Sequence, residues 1–356
     1  MPYKDVIVYD FHHGYDKIKT DELFKAEIHI CLLQAGRYIT AVCKKRRIDN
    51  EKRKGAYMER IQLQDDLQFS RIIHGHWRLA DWDYTDQETL HLLEQCLELG
   101  ITTIDTANIY GKYTCEEFFG NALSLKPELR SRLEIVTKCG IKLANDKNGF
   151  RLNHYDSSKE HIIESAERSL KMLKTDYIDV LLIHRPDVLT NPEEVADAFS
   201  SLKKAGKVKH FGVSNFLPSQ VNMLNAYLDV PLVTNQVELS VLYRDHFENG
   251  VVDQCIEKKM PPMAWSPLNR GIIFTSEEDK PSRVRTTLQK IAEELGASNI
   301  DEVIYAWLMH HPAKIMPIVG SGKVERIQSA VNALSLKMNR EQWYEIWVSS
   351  RGKNVD

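Results

Sequence analysis

Residues 157–184 read SSKEHIIESAERSLKMLKTDYIDVLLIH, one complete helix-to-strand unit. Ser157 followed three residues later by Glu160 is a helix-start signature. The hydroxyl accepts from a first-turn N–H that has no partner inside the helix, and the carboxylate reaches back to the cap. The helix is expected over 157–172. The run 178–183 is almost wholly apolar on both alternating faces, as a strand covered by helices in a parallel sheet should be. His184 closes that strand.

Outward from this unit the pattern repeats. Strands are expected at 102–105, 133–138, 208–213, 232–235, 262–265 and 315–318, with helices at 86–99, 115–124, 192–205, 218–226, 251–257, 283–295 and 300–309. Upstream, 61–64 and 69–73 flank Asp65-Asp66 and predict a β-hairpin. With 69–75 counted as the first strand, eight such units fill about 260 residues. That is the size of one closed (β/α)8 TIM barrel, with the hairpin closing its bottom. A doubly wound open sheet is the alternative. No Gly-x-Gly-x-x-Gly follows the early strands: Gly111 stands alone, and Gly320-Ser321-Gly322 lies near the carboxyl end. Periodicity by itself leaves both architectures open.

Composition narrows the function classes. A chain of 356 residues with 43% hydrophobic and 27% charged side chains can build a core of ordinary size. A net charge of −3 gives no reason to expect nucleic acid as a partner. The six cysteines show no CxxC spacing, which argues against a zinc site or a disulfide framework and for reduced thiols in a cytoplasmic compartment. No apolar run is long enough to predict a membrane span, and the amino-terminal stretch lacks the order of a secretory signal.

Residues 1–57 read differently from 58–356. They hold 12 basic and 8 acidic residues, with seven of the basic ones between Lys44 and Lys54. A nucleic-acid-binding arm and a solvated tail both fit that composition. Lys54-Gly55-Ala56-Tyr57-Met58 can be encoded AAA-GGA-GCN-TAY-ATG, which carries AAGGAG shortly before ATG, the form of a bacterial ribosome-binding site. The expectation is a barrel domain over 58–356 beginning at Met58, and an extension over 1–57 that is not native or is disordered.

Polar residues gather just past the carboxyl ends of the expected strands: Asp105 and Tyr110, Lys138, His184, Ser214 and Asn215, Gln236, Trp265 and Ser266. In a barrel these positions converge on one mouth. Singly, each has a plainer use. Asp105 can cap a turn, Tyr110 can pack with its hydroxyl on a loop, and a lone His184 can be a satisfied core histidine. Lys138 is odder, because a lysine facing inward from a strand end costs desolvation unless it is paired.

The stretches Asp105-Thr-Ala-Asn-Ile-Tyr110-Gly111, Ile135-Val-Thr-Lys138, Ile178-Asp-Val-Leu-Leu-Ile-His184-Arg-Pro186, Gly206-Lys-Val-Lys-His-Phe-Gly-Val-Ser-Asn215, Asn235-Gln-Val-Glu238, Trp265-Ser-Pro-Leu268 and Pro317-Ile-Val-Gly-Ser-Gly-Lys323 resemble, in this order, the aldo/keto reductase superfamily. The likeness runs from about residue 69 to the carboxyl end. Tyr-Gly-x-Tyr-x-Cys-Glu from Tyr110, Ile-His-Arg-Pro-Asp from Ile183, and Gly-Ser-Gly-Lys from Gly320 resemble its bacterial YdhF-like branch most.

The resemblance implies NAD(P)H-dependent reduction of an aldehyde or ketone by a tetrad of Asp105, Tyr110, Lys138 and His184. Tyr110 would be the proton donor. Lys138 would lower the phenol pKa by its charge, Asp105 would pair with Lys138, and His184 would hydrogen-bond the carbonyl oxygen. Ser214, Asn215 and Gln236 would hold the nicotinamide carboxamide and Trp265 would stack on its ring. Ser266 and Leu268 would lie near the pyrophosphate. Gly320, Ser321, Gly322, Lys323 and Arg326 would take the adenosine 2′-phosphate, favouring NADPH over NADH. Ser329 and Ala330 depart from the Glu and Asn of many relatives. Trp77 is a candidate wall of the substrate pocket, and no metal is required. The alternative within the same resemblance is a nucleotide-binding regulatory subunit without turnover.

Overall fold

The computed structural model describes residues 58–144 and 149–356; residues 1–57, and with them the expected extension, lie outside the described residues. The first hairpin pairs β1 (Arg60–Gln64) antiparallel with β2 (Leu67–Ser70). Alternation puts Ile61, Leu63, Leu67 and Phe69 on one face, and all are buried against Val136, Val180, Leu182, Val233, Met263 and Met316. Arg60 reaches Glu134 at 2.6 Å and also bonds Thr102, both at the starts of strands. The hairpin therefore closes the amino-terminal end of the barrel, the bottom.

In chain order the remaining strands are β3 (Ile73–Gly75), β4 (Thr103–Asp105), β5 (Glu134–Cys139), β6 (Ile141–Lys142), β7 (His154–Tyr155), β8 (Ile178–Ile183), β9 (Val208–Ser214), β10 (Leu232–Glu238), β11 (Met263–Trp265) and β12 (Met316–Val319). β3, β4, β5, β8, β9, β10, β11 and β12 pair in parallel in that order, and β12 pairs with β3 to close the barrel. The open-sheet alternative is thereby excluded. β6 and β7 form a small antiparallel hairpin in the connection between β5 and β8, too short for any pattern to announce it.

The single strand expected over 69–75 is two. β2 ends at Ser70 and β3 begins at Ile73, because the chain turns there from the bottom plug into the barrel wall. Ser70 makes that corner possible: its hydroxyl donates to Ile72 O at 2.7 Å and accepts from the N–H groups of Thr102 and Thr103, each at 3.2 Å. The helix after β7 is Lys159–Leu173, and its cap is Ser158, whose hydroxyl accepts from His161 N. Ser157, expected as the cap, instead ties the helix to the loop after β8 through Asp187 Oδ2 at 3.2 Å. Helices Val324–Asn332 and Arg340–Arg351 complete the outer layer beyond those expected.

Strand β8 shows why the barrel needs continuous apolar runs. All six of its residues are buried. Val180 and Leu182 face the interior, whereas Ile178, Leu181 and Ile183 pack outward against Val195, Ala198 and Phe199 of the helix Pro192–Lys204. Each fully buried aliphatic chain contributes about 1.5–3 kcal/mol relative to exposure. Next to it, Gly212 is required by proximity: a Cβ there would lie 2.7 Å from Thr234 O and from Leu182 Cδ2. No helix among the described residues is long and apolar enough to cross a membrane.

Candidate active site

Inward parity at the upper ends of the strands assembles the centre. Lys138 follows Val136 by two residues and His184 follows Leu182 by two, so both point into the mouth above the interior layer. Lys138 is fully buried. Its ammonium spends all three donors: Asp105 Oδ1 at 2.7 Å, Thr106 O at 2.7 Å and Tyr110 Oη at 3.1 Å. Burial alone would lower its pKa, but Asp105 and Tyr110 outweigh burial and hold it above the ordinary lysine value.

Tyr110 starts the turn after β4, and its ring meets His184 edge-to-face at 5.8 Å between centroids. Burial pushes the phenol above its ordinary pKa; Lys138 pulls the other way but does not overcome it. The direction expected from Lys138 is present, and the net lowering is not. His184 is held well below the ordinary histidine value by burial, with Lys138 and Arg185 adding to it, so its ring is neutral. Its Nδ1 is buried without a partner. An orphaned lone pair is cheaper than an orphaned N–H, which places the proton on Nε2, the ring atom left for a ligand.

The expected cofactor residues join the same network. Ser214 and Gln236 are cross-strand partners, and Ser214 Oγ donates to Gln236 O at 2.8 Å. A bulge between Leu232 and Asn235 lets Val233 and Gln236, three residues apart, both turn inward. Gln236 Nε2 donates to Asp105 Oδ1 at 2.7 Å, so Gln236 also positions the tetrad carboxylate. No described residue donates to Gln236 Oε1. Asn215 sits at φ +63°, donates to His184 O at 3.3 Å, and accepts from Trp265 Nε1 at 3.0 Å, fixing the indole plane. Ser266 follows at φ +51°, and Asn269 N closes the turn onto its carbonyl. Left-handed non-glycine residues of this kind concentrate at functional sites. Leu268 packs outward against the helical layer.

The loop after β12 lies against the loop after β3. Ser321 O accepts from His74 Nε2 at 3.0 Å, and Tyr84 donates to Gly322 O at 3.0 Å. Gly322 passes so close to Trp82 that a Cβ would lie 2.9 Å from its ring. Gly320, Lys323 and Arg326 are exposed, Ser321 is half-buried, and neither cation has an ion pair among the described residues. Since His74 Nε2 donates, its Nδ1 accepts, and His76 Nε2 donates to it at 3.2 Å. Burial pushes His74 down to about 4 and His76 well below its ordinary value. The sequence signal for this histidine chain is the His-Gly-His alternation at 74–76, at a strand end. Trp77 stands on the rim, 53% exposed, with the Arg78 guanidinium 5.4 Å from its ring, and does not touch the tetrad. Among the described residues no group of three or more His, Cys, Asp or Glu side chains is arranged to hold a metal ion.

Residues 71–348 match the model of the aldo/keto reductase family. The chain is 56% identical to the uncharacterised oxidoreductase YcsN of Bacillus subtilis, covering 84% of this chain and all of the relative. It is 47% identical to the oxidoreductase YdhF of Escherichia coli, covering 81% of this chain and 96% of that one. The expected likeness to YdhF is therefore present but exceeded by that to YcsN. A 6-dehydroglucose reductase of Agrobacterium fabrum is 44% identical over 84% of this chain and its own full length.

Proposed function

Because the chain belongs to the aldo/keto reductase family, we propose that it reduces an aldehyde or ketone to the alcohol with NADPH, with Tyr110 as the proton donor. The observation that carries this is the buried Lys138 ammonium held at once on Asp105 and Tyr110 Oη. Bound reduced nicotinamide would supply the hydride to the carbonyl carbon. Tyr110 gives its proton to the carbonyl oxygen as charge grows there. Lys138 donates to the same phenolic oxygen, so it stabilises the phenolate left behind. Asp105 keeps the ammonium charged and aimed. Neutral His184 offers Nε2–H to the carbonyl oxygen and sets its direction.

The residues present fit that cofactor. Gln236 Oε1 can accept from a carboxamide N–H, and the Asn215 amide stands beside it. Trp265, held flat by Asn215, offers a face for the nicotinamide ring. Ser266 and Leu268 begin the loop that would flank the pyrophosphate. Lys323 and Arg326 offer two cations with no ion pair among the described residues, one with a forked guanidinium, to a 2′-phosphate beside Gly320, Ser321 and Gly322.

Replacing Tyr110 with Phe tests the assignment. Turnover of NADPH with activated aldehydes, ketones and diones should fall at least about 100-fold while NADPH affinity barely changes. The aldehyde 6-dehydroglucose belongs on that panel, given the name of one relative. Near wild-type turnover in Tyr110→Phe would sink the assignment. Tight NADPH binding with no turnover by the parent across the panel would favour the regulatory-subunit reading instead.

A further inference from the structure

Two charged side chains at the mouth belong to neither the tetrad nor the cofactor set. Glu238 ends β10. It follows inward-facing Gln236 by two residues, and its register partner on β11 is Trp265. Arg185 directly follows His184, where the chain bends, and its guanidinium lies 5.6 Å from the centroid of the Trp265 ring. Both are half-buried. Neither makes an ion pair or a side-chain hydrogen bond with any described residue. Burial pushes the Glu238 carboxyl up, and the charges of Arg270 and, after it, Arg185 oppose that. Arg270 sits in the loop assigned above to the pyrophosphate and is left to it.

We propose that Arg185 and Glu238 read the substrate, selecting an aldehyde that carries hydroxyl groups next to its carbonyl over an apolar carbonyl of equal size. This rests on the reductase reading above. The pair offers guanidinium donors on one side and carboxylate acceptors on the other. A hydroxyl uses both, accepting from Arg185 and donating to Glu238, and a vicinal diol can do so with two oxygens at once. An apolar chain lying over the pair would strip water from two charges and return nothing, the situation in which sites reject an analogue lacking the polar group most strongly. An anionic substrate would gain from Arg185 but meet Glu238 as a like charge.

The test uses the full chain with NADPH and three aldehydes: glyceraldehyde, butanal of similar size, and 4-nitrobenzaldehyde. The parent should prefer glyceraldehyde to butanal by at least about tenfold in kcat/KM. Glu238→Gln and Arg185→Met should each lower that ratio by about tenfold, and Arg185→Lys should restore part of it. The ratio is the readout because a merely structural loss would lower both substrates together. A parent ratio near one, or a ratio unmoved in both variants while 4-nitrobenzaldehyde is still reduced, overturns this inference alone. No NADPH oxidation with any of the three overturns the reductase reading, and this inference with it.

Discussion

Replacing Lys138 with Met separates what the buried ion pair does for the fold from what it does for chemistry. Lys138 is 0% exposed and Asp105 is 3% exposed, with 2.7 Å between their charged atoms. Deleting one partner of such a pair leaves an uncompensated buried charge and costs about 3–5 kcal/mol. Gln236 still donates to Asp105, which keeps the cost at the lower end. For a domain of this size each kcal/mol moves the melting temperature by slightly less than about 2 °C, so Lys138→Met should melt about 5 °C lower. Asp105→Asn should lose a comparable amount, because the buried ammonium then loses the carboxylate charge opposite it. The double variant Lys138→Met/Asp105→Asn has no buried charge left and should recover at least half of the single loss. All three should turn over at least about 100-fold more slowly, since each lacks the charged ammonium or its orientation. Melting followed by circular dichroism, beside NADPH oxidation, gives both readouts. A double variant no more stable than Lys138→Met would refute the reasoning.

Three further outcomes follow from the same structure. His74, His76 and His184 are all held neutral by burial, His74 at about 4. Their folded pKa values lie below the unfolded value of about 6.5, so on acidification the unfolded chain takes up protons first. Stability should be full above about pH 6.5 and fall as pH drops toward the lowered values, with His74 alone costing about 2 kcal/mol by pH 5; an unchanged melting temperature between those pH values would contradict the burial argument. Arg326→Ala should weaken NADPH binding by about tenfold or more, the worth of one charge-assisted hydrogen bond, and leave NADH nearly unchanged; equal losses for both cofactors in titrations would remove Arg326 from the 2′-phosphate. Deleting residues 1–57 should leave melting temperature and turnover unchanged, because it retains Met58, which is buried against Gly100; a loss of either would assign the segment a part in the working protein.

The barrel, and the meeting of Asp105, Tyr110, Lys138 and His184 at its mouth, are legible in the sequence because both depend on strand ends. A polar residue placed just after a buried apolar run has few places to be other than the mouth, and Asp105, Lys138 and His184 each follow such a run. What escaped depends on local departures from alternation. The corner at Ser70 is invisible in a run that stays apolar through Ile73. The bulge in β10 inverts the faces that simple alternation assigns to Val233 and Gln236, so the bond from Gln236 to Asp105 could not be counted from spacing. The cap moved from Ser157 to Ser158 because Asp187, thirty residues on, competes for Ser157. Arg185 turns toward Trp265 only because the chain bends there after the strand ends.

The raised phenol of Tyr110 is consistent with the proton-donor role proposed for it. A donor must hold its proton until the carbonyl oxygen becomes basic. Burial favours the neutral phenol before that moment, and the Lys138 ammonium 3.1 Å away favours the phenolate after it. A low phenol pKa in the resting site would give some of this up, because ionised tyrosine has nothing to donate. Asp105 keeps the same ammonium charged, and Gln236 and Thr106 bond the two ends of that arrangement. In the proposed reaction the electrostatic gain is therefore largest for the state in which negative charge is shared between the carbonyl oxygen and Oη. That difference between ground and transition states is the only kind of interaction that speeds the chemical step.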